Sequence, residues 1–204
     1  MRVVFTGHIA GAGTASGLRI VVGRWDDSPF GSFTDVMLQT ADEERVLLAP
    51  DEAVADFVSS TYHFDRVQLG GVSAEMGTDV LTVSAEDFAA RIDIGGAAPV
   101  DALLRFVPRR LAASPRWLRV IDPLASRIVP GVHTYGTAGN DRVEYYGVRR
   151  SRRISAIDGH YRGVPFGGLA PLRPPVSFGF SSAPASPQIV AVTTTIDESE
   201  QAIT

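Results

Sequence analysis

The stretch GRWDDSPFGSFTDVML, residues 23 to 38, sets Asp26, Asp27 and Asp35 close to Trp25. Carboxylates beside an aromatic wall can serve as a general acid and base, provided that they converge on one point. Successive side chains of an extended segment face opposite ways, so Asp26 and Asp27 cannot both aim into one site. Asp, Ser, Pro and Gly also build tight turns, and Phe30 and Phe33 suit a loop packed onto a core. A connection between strands is the favoured reading. In its functional form Asp27 or Asp35 lines the end of a cavity and Trp25 forms a wall.

The four histidines, at 8, 63, 133 and 160, lack metal-binding spacings such as HxH or HExxH, so no metal site is expected. Asp158 and His160 would share a face of a strand, where the carboxylate could orient the imidazole as a base. The glycine between them also signals a surface turn, which is the favoured reading. His133 follows a Pro-Gly break and lies near Glu144, Tyr145 and Tyr146 in sequence, which makes it an acid/base candidate and Tyr145 a ligand contact. The run RRSRR, 149 to 153, could clamp a phosphate or carboxylate, with Arg149 and Arg150 as the contacts. A charged edge strand is the plainer explanation of that run.

Whole classes of chemistry fall away on composition. The chain has no cysteine, and all 19 of its basic residues are arginine. Thiolate nucleophiles, a Schiff-base lysine, covalent pyridoxal phosphate and a P-loop lysine are therefore excluded, and no cofactor is expected. No GxSxG elbow occurs. A net charge of −4 argues against nucleic acid and anionic lipid as partners. No apolar run approaches the roughly 18 residues of a membrane span. The N-terminal apolar run is too short for a signal-peptide core, so a cytoplasmic location is expected.

The elements that would position these residues are mostly strands. Gly11, Gly13 and Gly17 follow the apolar run VVFTG, but LRIVVG begins at once, which leaves no room for the helix of a dinucleotide-binding unit. Residues 7 to 17 therefore read as a glycine-rich loop between strands. Residues 33 to 48 read as a hairpin, DEAVADFVSSTY as an amphipathic helix, and 64 to 94 as two or three antiparallel strands. PVDALLRFVPRRL predicts a short helix. The two prolines of SPRWLRVIDPLASRIVPG predict two short helices or one sharply kinked helix, with Trp117, Ile121, Leu124 and Ile128 on one buried stripe. Residues 132 to 148 read as a hairpin, and VSFGF and QIVAVTTTI as strands.

Connections of hairpin length favour antiparallel pairing. The expected fold is α+β, a predominantly antiparallel β barrel or sandwich with three or four short helices, a lipocalin-like barrel being one form of it. One domain is expected over residues 1 to 196, with an acidic tail, 197 to 204, that frays. The runs GVHTYGTAGNDRVEYYGVRR and PPVSFGFSSAPASPQIVAVTTTI, with FGSFTDVML and VLLAPDEAVADFVSSTY, resemble a group of bacterial proteins that carry no assigned activity. The resemblance assigns no catalytic residue.

Three functions stay open on these grounds. The first is non-catalytic binding of a small, largely apolar organic ligand in a β-barrel or sandwich cavity. The second is an enzyme that uses His133, or Asp158 with His160, as acid and base. The third is an oligomeric or partner-binding scaffold that uses the Arg149 to Arg153 edge.

Overall fold

A computed structural model describes residues 2–129 and 131–197. The first strands, β1 (Arg2–Thr14), β2 (Arg19–Asp27), β3 (Phe33–Gln39) and β4 (Arg45–Ala49), follow one another by reversals. Helix α1 (Glu52–Thr61) leads to β5 (Arg66–Leu69), β6 (Ser73–Met76), β7 (Val80–Ala85) and β8 (Phe88–Ala97). Helices α2 (Asp101–Leu104), α3 (Arg109–Ala112) and α4 (Pro115–Ile128) come next. The chain ends in β9 (Tyr135–Thr137), the long β10 (Val143–Tyr161), the short β11 (Val164–Pro165) and β12 (Leu169–Ala170), and β13 (Gln188–Asp197).

The strands form one sheet in the order β5-β4-β3-β2-β1-β13-β10-β8-β7-β6, with β9 and β11 added on β10 and β12 on β1. Every pair is antiparallel except β4 with β5, which α1 joins as a crossover. Ala10, Ile20, Val36 and Leu48 from one end of this order and Leu81, Phe88, Ile92 and Ile154 from the other belong to one buried cluster. Among the described residues no helix residue belongs to that cluster, so the sheet covers itself, and β3 does come into contact with β6. The architecture is a curled, predominantly antiparallel half-barrel with helices packed outside it. Register shifts along β10, at Val148/Arg150 and on both sides of Ile154, supply the bend.

Several local expectations are corrected. Residues 7 to 14 are not loop: β1 runs unbroken to Thr14, and Gly7 is there because a Cβ would strike the Arg24 carbonyl on β2. The reversal itself is confined to the residues around Gly17, whose φ is 84°. Helix α4 is a single 14-residue helix with Pro115 in its first turn and Pro123 inside it. VSFGF is not a strand; it belongs to the long connection between β12 and β13. The hairpin expected at 132 to 148 exists, Tyr135 pairing with Tyr145, but its second strand continues to Tyr161. That continuation places RRSRR on an interior strand between β13 and β8, so it is not an edge. Asp158 and His160 are likewise on the strand, and the turn falls at Arg162 and Gly163, both with positive φ.

The tail expected over 197 to 204 lies outside the described residues except for Asp197, which pairs with Arg2 at 2.6 Å. Among the described residues no helix is long and apolar enough to cross a membrane, and no group of three or more histidines and acids could hold a metal ion.

Candidate ligand cavity

The outer face of the sheet carries a cavity of about 450 Å³. Its floor follows the two-residue period of the strands: Ile9 and Gly11 on β1, Val21 and Trp25 on β2, Val190 and Val192 on β13. Its cover comes from helices, α2 with Leu103 and Leu104 among them, and from the connection before β13. Helix α1 supplies Phe57 and Val58, α4 supplies Trp117 and Ile121, and the connection before β13 supplies Val176 and Phe178.

Helix α1 is set by Asp51, whose side chain accepts from the Val54 N–H at 2.9 Å as an N-cap, and its Val54, Ala55 and Val58 are buried. Its last carbonyls meet extended backbone at Tyr62. The next residue is tied down because the His63 N–H donates to the Phe178 carbonyl at 2.9 Å. Tyr62 is thereby fixed at the cavity wall.

Among the described residues Asp35, Glu144 and His133 are the acidic and histidine side chains in the lining. Glu144, 0% exposed, sits in a ring of hydroxyls. The Tyr62 hydroxyl lies 2.9 and 3.0 Å from its two oxygens and 2.7 Å from the Tyr146 hydroxyl, and Tyr146 donates to Glu144 Oε2 at 3.1 Å. Three groups that each contact the other two need three protons, and the tyrosines supply two. The ring closes only if Glu144 keeps its own proton. Burial, opposed by the two tyrosine hydrogen bonds, raises the Glu144 pKa to about 7. Burial and the nearby Glu144 push both tyrosines well above their ordinary range.

Asp35, 2% exposed, occupies a second station. Burial raises its pKa to about 7, against the hydrogen bond from Trp25 Nε1 at 2.9 Å. Gly23 lies opposite Asp35 in register and beneath that bond: a Cβ there would stand 2.5 Å from Asp35 Oδ1 and 2.8 Å from Trp25 Nε1. Trp25 belongs to a cluster with Phe5, Phe30, Phe33 and Phe57, ring centroids 5.2 to 6.4 Å apart. Asp35 and Glu144 do not form a dyad, because β2, β1 and β13 separate their strands.

His133 also lines the cavity, on the chain after α4. Its Nδ1 is 3.2 Å from Asp122 Oδ2, while Asp122 Oδ1 accepts from the backbone N–H of Thr134 at 2.6 Å and of Tyr135 at 3.3 Å. Burial pushes the Asp122 carboxyl up, but the His133 and Thr134 hydrogen bonds outweigh it and hold it below the ordinary value. An ionised carboxylate accepts only, so the His133 proton resides on Nδ1 and Nε2 is left as the basic nitrogen.

Of the residues singled out in the sequence, Trp25, Asp35 and His133 meet in this cavity. Asp27 does not line it; a register shift sets Asp27 opposite Thr6 while Trp25 stays opposite Gly7, which carries Asp27 off that face into solvent. Tyr145 faces away, 5.5 Å from the Tyr135 ring, and accepts from Arg119 at 2.7 Å. Arg149 and Arg150 line no part of it, and Arg150 donates to Asp101 at 3.0 Å. Asp158 and His160 are exposed opposite Arg91 and Ala89 on β8. Tyr62, Glu144, Tyr146 and Thr194 in the lining, and Asp122 beside His133, are polar residues that no motif in the sequence marks.

No protein-family model matches the chain, and no curated protein is similar to it at a significant level. Among solved structures, the chain is similar to an acetoacetate decarboxylase from Legionella pneumophila subsp. pneumophila str. Philadelphia 1. The TM-score is 0.44 and the identity 10%, over 97% of this chain and 84% of that one.

Proposed function

We propose that this protein binds a small, largely apolar organic molecule in the cavity between the outer sheet face and its helices. The observation that carries this reading is the cavity itself: about 450 Å³, walled by aliphatic and aromatic side chains, with a few buried polar groups at fixed stations. A site of this composition gains affinity from its apolar wall and orientation from its carboxyl and hydroxyl groups. The arginines first expected to meet an anionic headgroup lie elsewhere, so the orienting groups are Glu144, Asp35 and the tyrosines. Native mass spectrometry of protein isolated from its own host tests the reading. A retained organic molecule, lost from a variant whose cavity is filled by Val190→Phe, is the expected result; a filled variant that retains the same molecule refutes it.

A second reading is supported by the Asp122–His133 pair, an imidazole oriented by a carboxylate at the wall of an apolar cavity. This arrangement suits a general base acting on a bound molecule. Its test is His133→Gln, which should abolish turnover of any identified ligand while leaving its affinity within about twofold, since the apolar wall is untouched.

A further inference from the structure

We infer that the molecule held in this cavity is a hydrophobic amine, bound as its ammonium ion against Glu144, Tyr62, Tyr146 and Thr194. The inference rests on the cavity being a binding site and adds the chemical class of the occupant. Thr194 is the partner of Tyr146 across the β10–β13 pair. It is 3% exposed and lines the cavity, and its hydroxyl has no hydrogen-bond partner. A buried hydroxyl left unpaired costs free energy unless a bound group satisfies it.

The closed ring of Glu144 and the two tyrosines uses its three protons internally, so what it has left for a ligand is lone pairs. The corner therefore asks for a group rich in donors. An ammonium brings three; as it binds, Glu144 releases its proton to solvent, and the carboxylate that remains pairs with the ion. In a cavity of low dielectric such a pair is much stronger than in water, and neither partner is left as an isolated buried charge.

Charge points the same way. Among the described residues two carboxyl groups line the cavity, and no arginine does. Arg142, the cation that acts on Glu144, is held outside the lining by Ser60 at 2.6 Å and Thr61 at 2.7 Å, and its guanidinium lies 4.5 Å from the Phe57 ring. A carboxylate ligand would set a third carboxyl group among these two with no arginine in the lining to pair with it. The aromatic side chains of Phe5, Trp25 and Phe33 in the same lining offer the hydrocarbon body an apolar wall.

The test uses the intact protein at neutral pH and three probes of matched size: cyclohexylmethylamine, cyclohexylmethanol and cyclohexanecarboxylate, titrated calorimetrically. The amine should bind at least about tenfold more tightly than the alcohol, and the carboxylate should show no binding. Glu144→Gln should weaken the amine about tenfold and leave the alcohol within about twofold. Thr194→Val keeps the side-chain shape, and should weaken the amine by about threefold or more through the lost hydroxyl. An alcohol that binds as tightly as the amine, or a carboxylate that binds at all, overturns the amine assignment and leaves the cavity as a binding site. If none of the three binds to protein that melts cooperatively, the cavity reading itself fails and the amine with it.

Discussion

The Tyr62 hydroxyl lies 2.9 Å from Glu144 across 82 residues of chain, joining the end of α1 to the middle of the sheet. Removing that oxygen leaves Glu144 with Tyr146 alone and breaks two sides of a three-sided ring. Tyr62→Phe is expected to lower stability by about 1–3 kcal/mol, the range for a buried polar group that loses its partner. Urea unfolding checks this: the midpoint should fall while the slope stays constant. An unchanged midpoint would mean that the ring does not hold α1 to the sheet.

Asp35 and Glu144 also give stability a pH dependence. Their pKa values rise from ordinary values of 3.8 and 4.5 to about 7 on folding. Between about pH 4 and 7 the native state therefore holds protons that the unfolded chain has released. Stability from these groups is fully present below about pH 4 and is lost as pH rises through 7. His8, whose pKa burial lowers, titrates in the opposite direction, so a comparison of variants is needed. Asp35→Asn should melt higher than the parent at pH 8, by an amount on the order of a few kcal/mol, and match it near pH 4. A constant difference between the two at all pH values would contradict the raised pKa.

Much of the fold was legible because short connections force antiparallel pairing, and α1 was visible in the spacing of Val54, Phe57 and Val58. The cavity was less legible. Period-two alternation says that Tyr145 and Tyr146 face opposite ways but not which of them lines the cavity; Tyr146 does, while Tyr145 meets Arg119. Asp27 shares its parity with Trp25, and only the register shift at Thr6/Gly7, which depends on the partner strand, separates them. Asp122 reads as a cap before a proline; its bond to His133 depends on how α4 lies against the following chain. Tyr62 and Glu144 come together only through the tertiary fold. No local spacing signals them.

Gly23→Ala tests the second station. The added methyl would stand 2.5 Å from Asp35 Oδ1, within the Trp25–Asp35 bond. Backbone on both sides is fixed by pairing with β1 and β3, so the side chains must give way. A loss of about 1–3 kcal/mol is expected from the overpacking. A shifted Trp25 emission in a Trp117→Phe background would report the lost indole hydrogen bond. An unshifted emission would mean that Asp35 and Trp25 move together.

Asp101 ties the cavity's helical cover to the sheet. It is fully buried at the start of α2, where Oδ1 accepts from the Ser151 N–H at 2.9 Å and Arg150 Nε at 3.0 Å, and Oδ2 accepts from Arg105 Nε at 2.9 Å. The same helix brings Leu103 and Leu104 to the cavity. Asp101→Ala leaves the Ser151 amide buried without an acceptor and frees both arginines, so a loss of about 3–5 kcal/mol is expected. Asp101→Asn keeps an acceptor for Ser151 and should lose less. Because α2 is short and this carboxylate joins it to the sheet, its amides should open locally before the sheet does. Hydrogen exchange over residues 101 to 107 separates the outcomes. Faster exchange there with β13 unchanged fits a latch on the cavity cover, whereas equal acceleration in β13 would show that Asp101 stabilises the whole molecule.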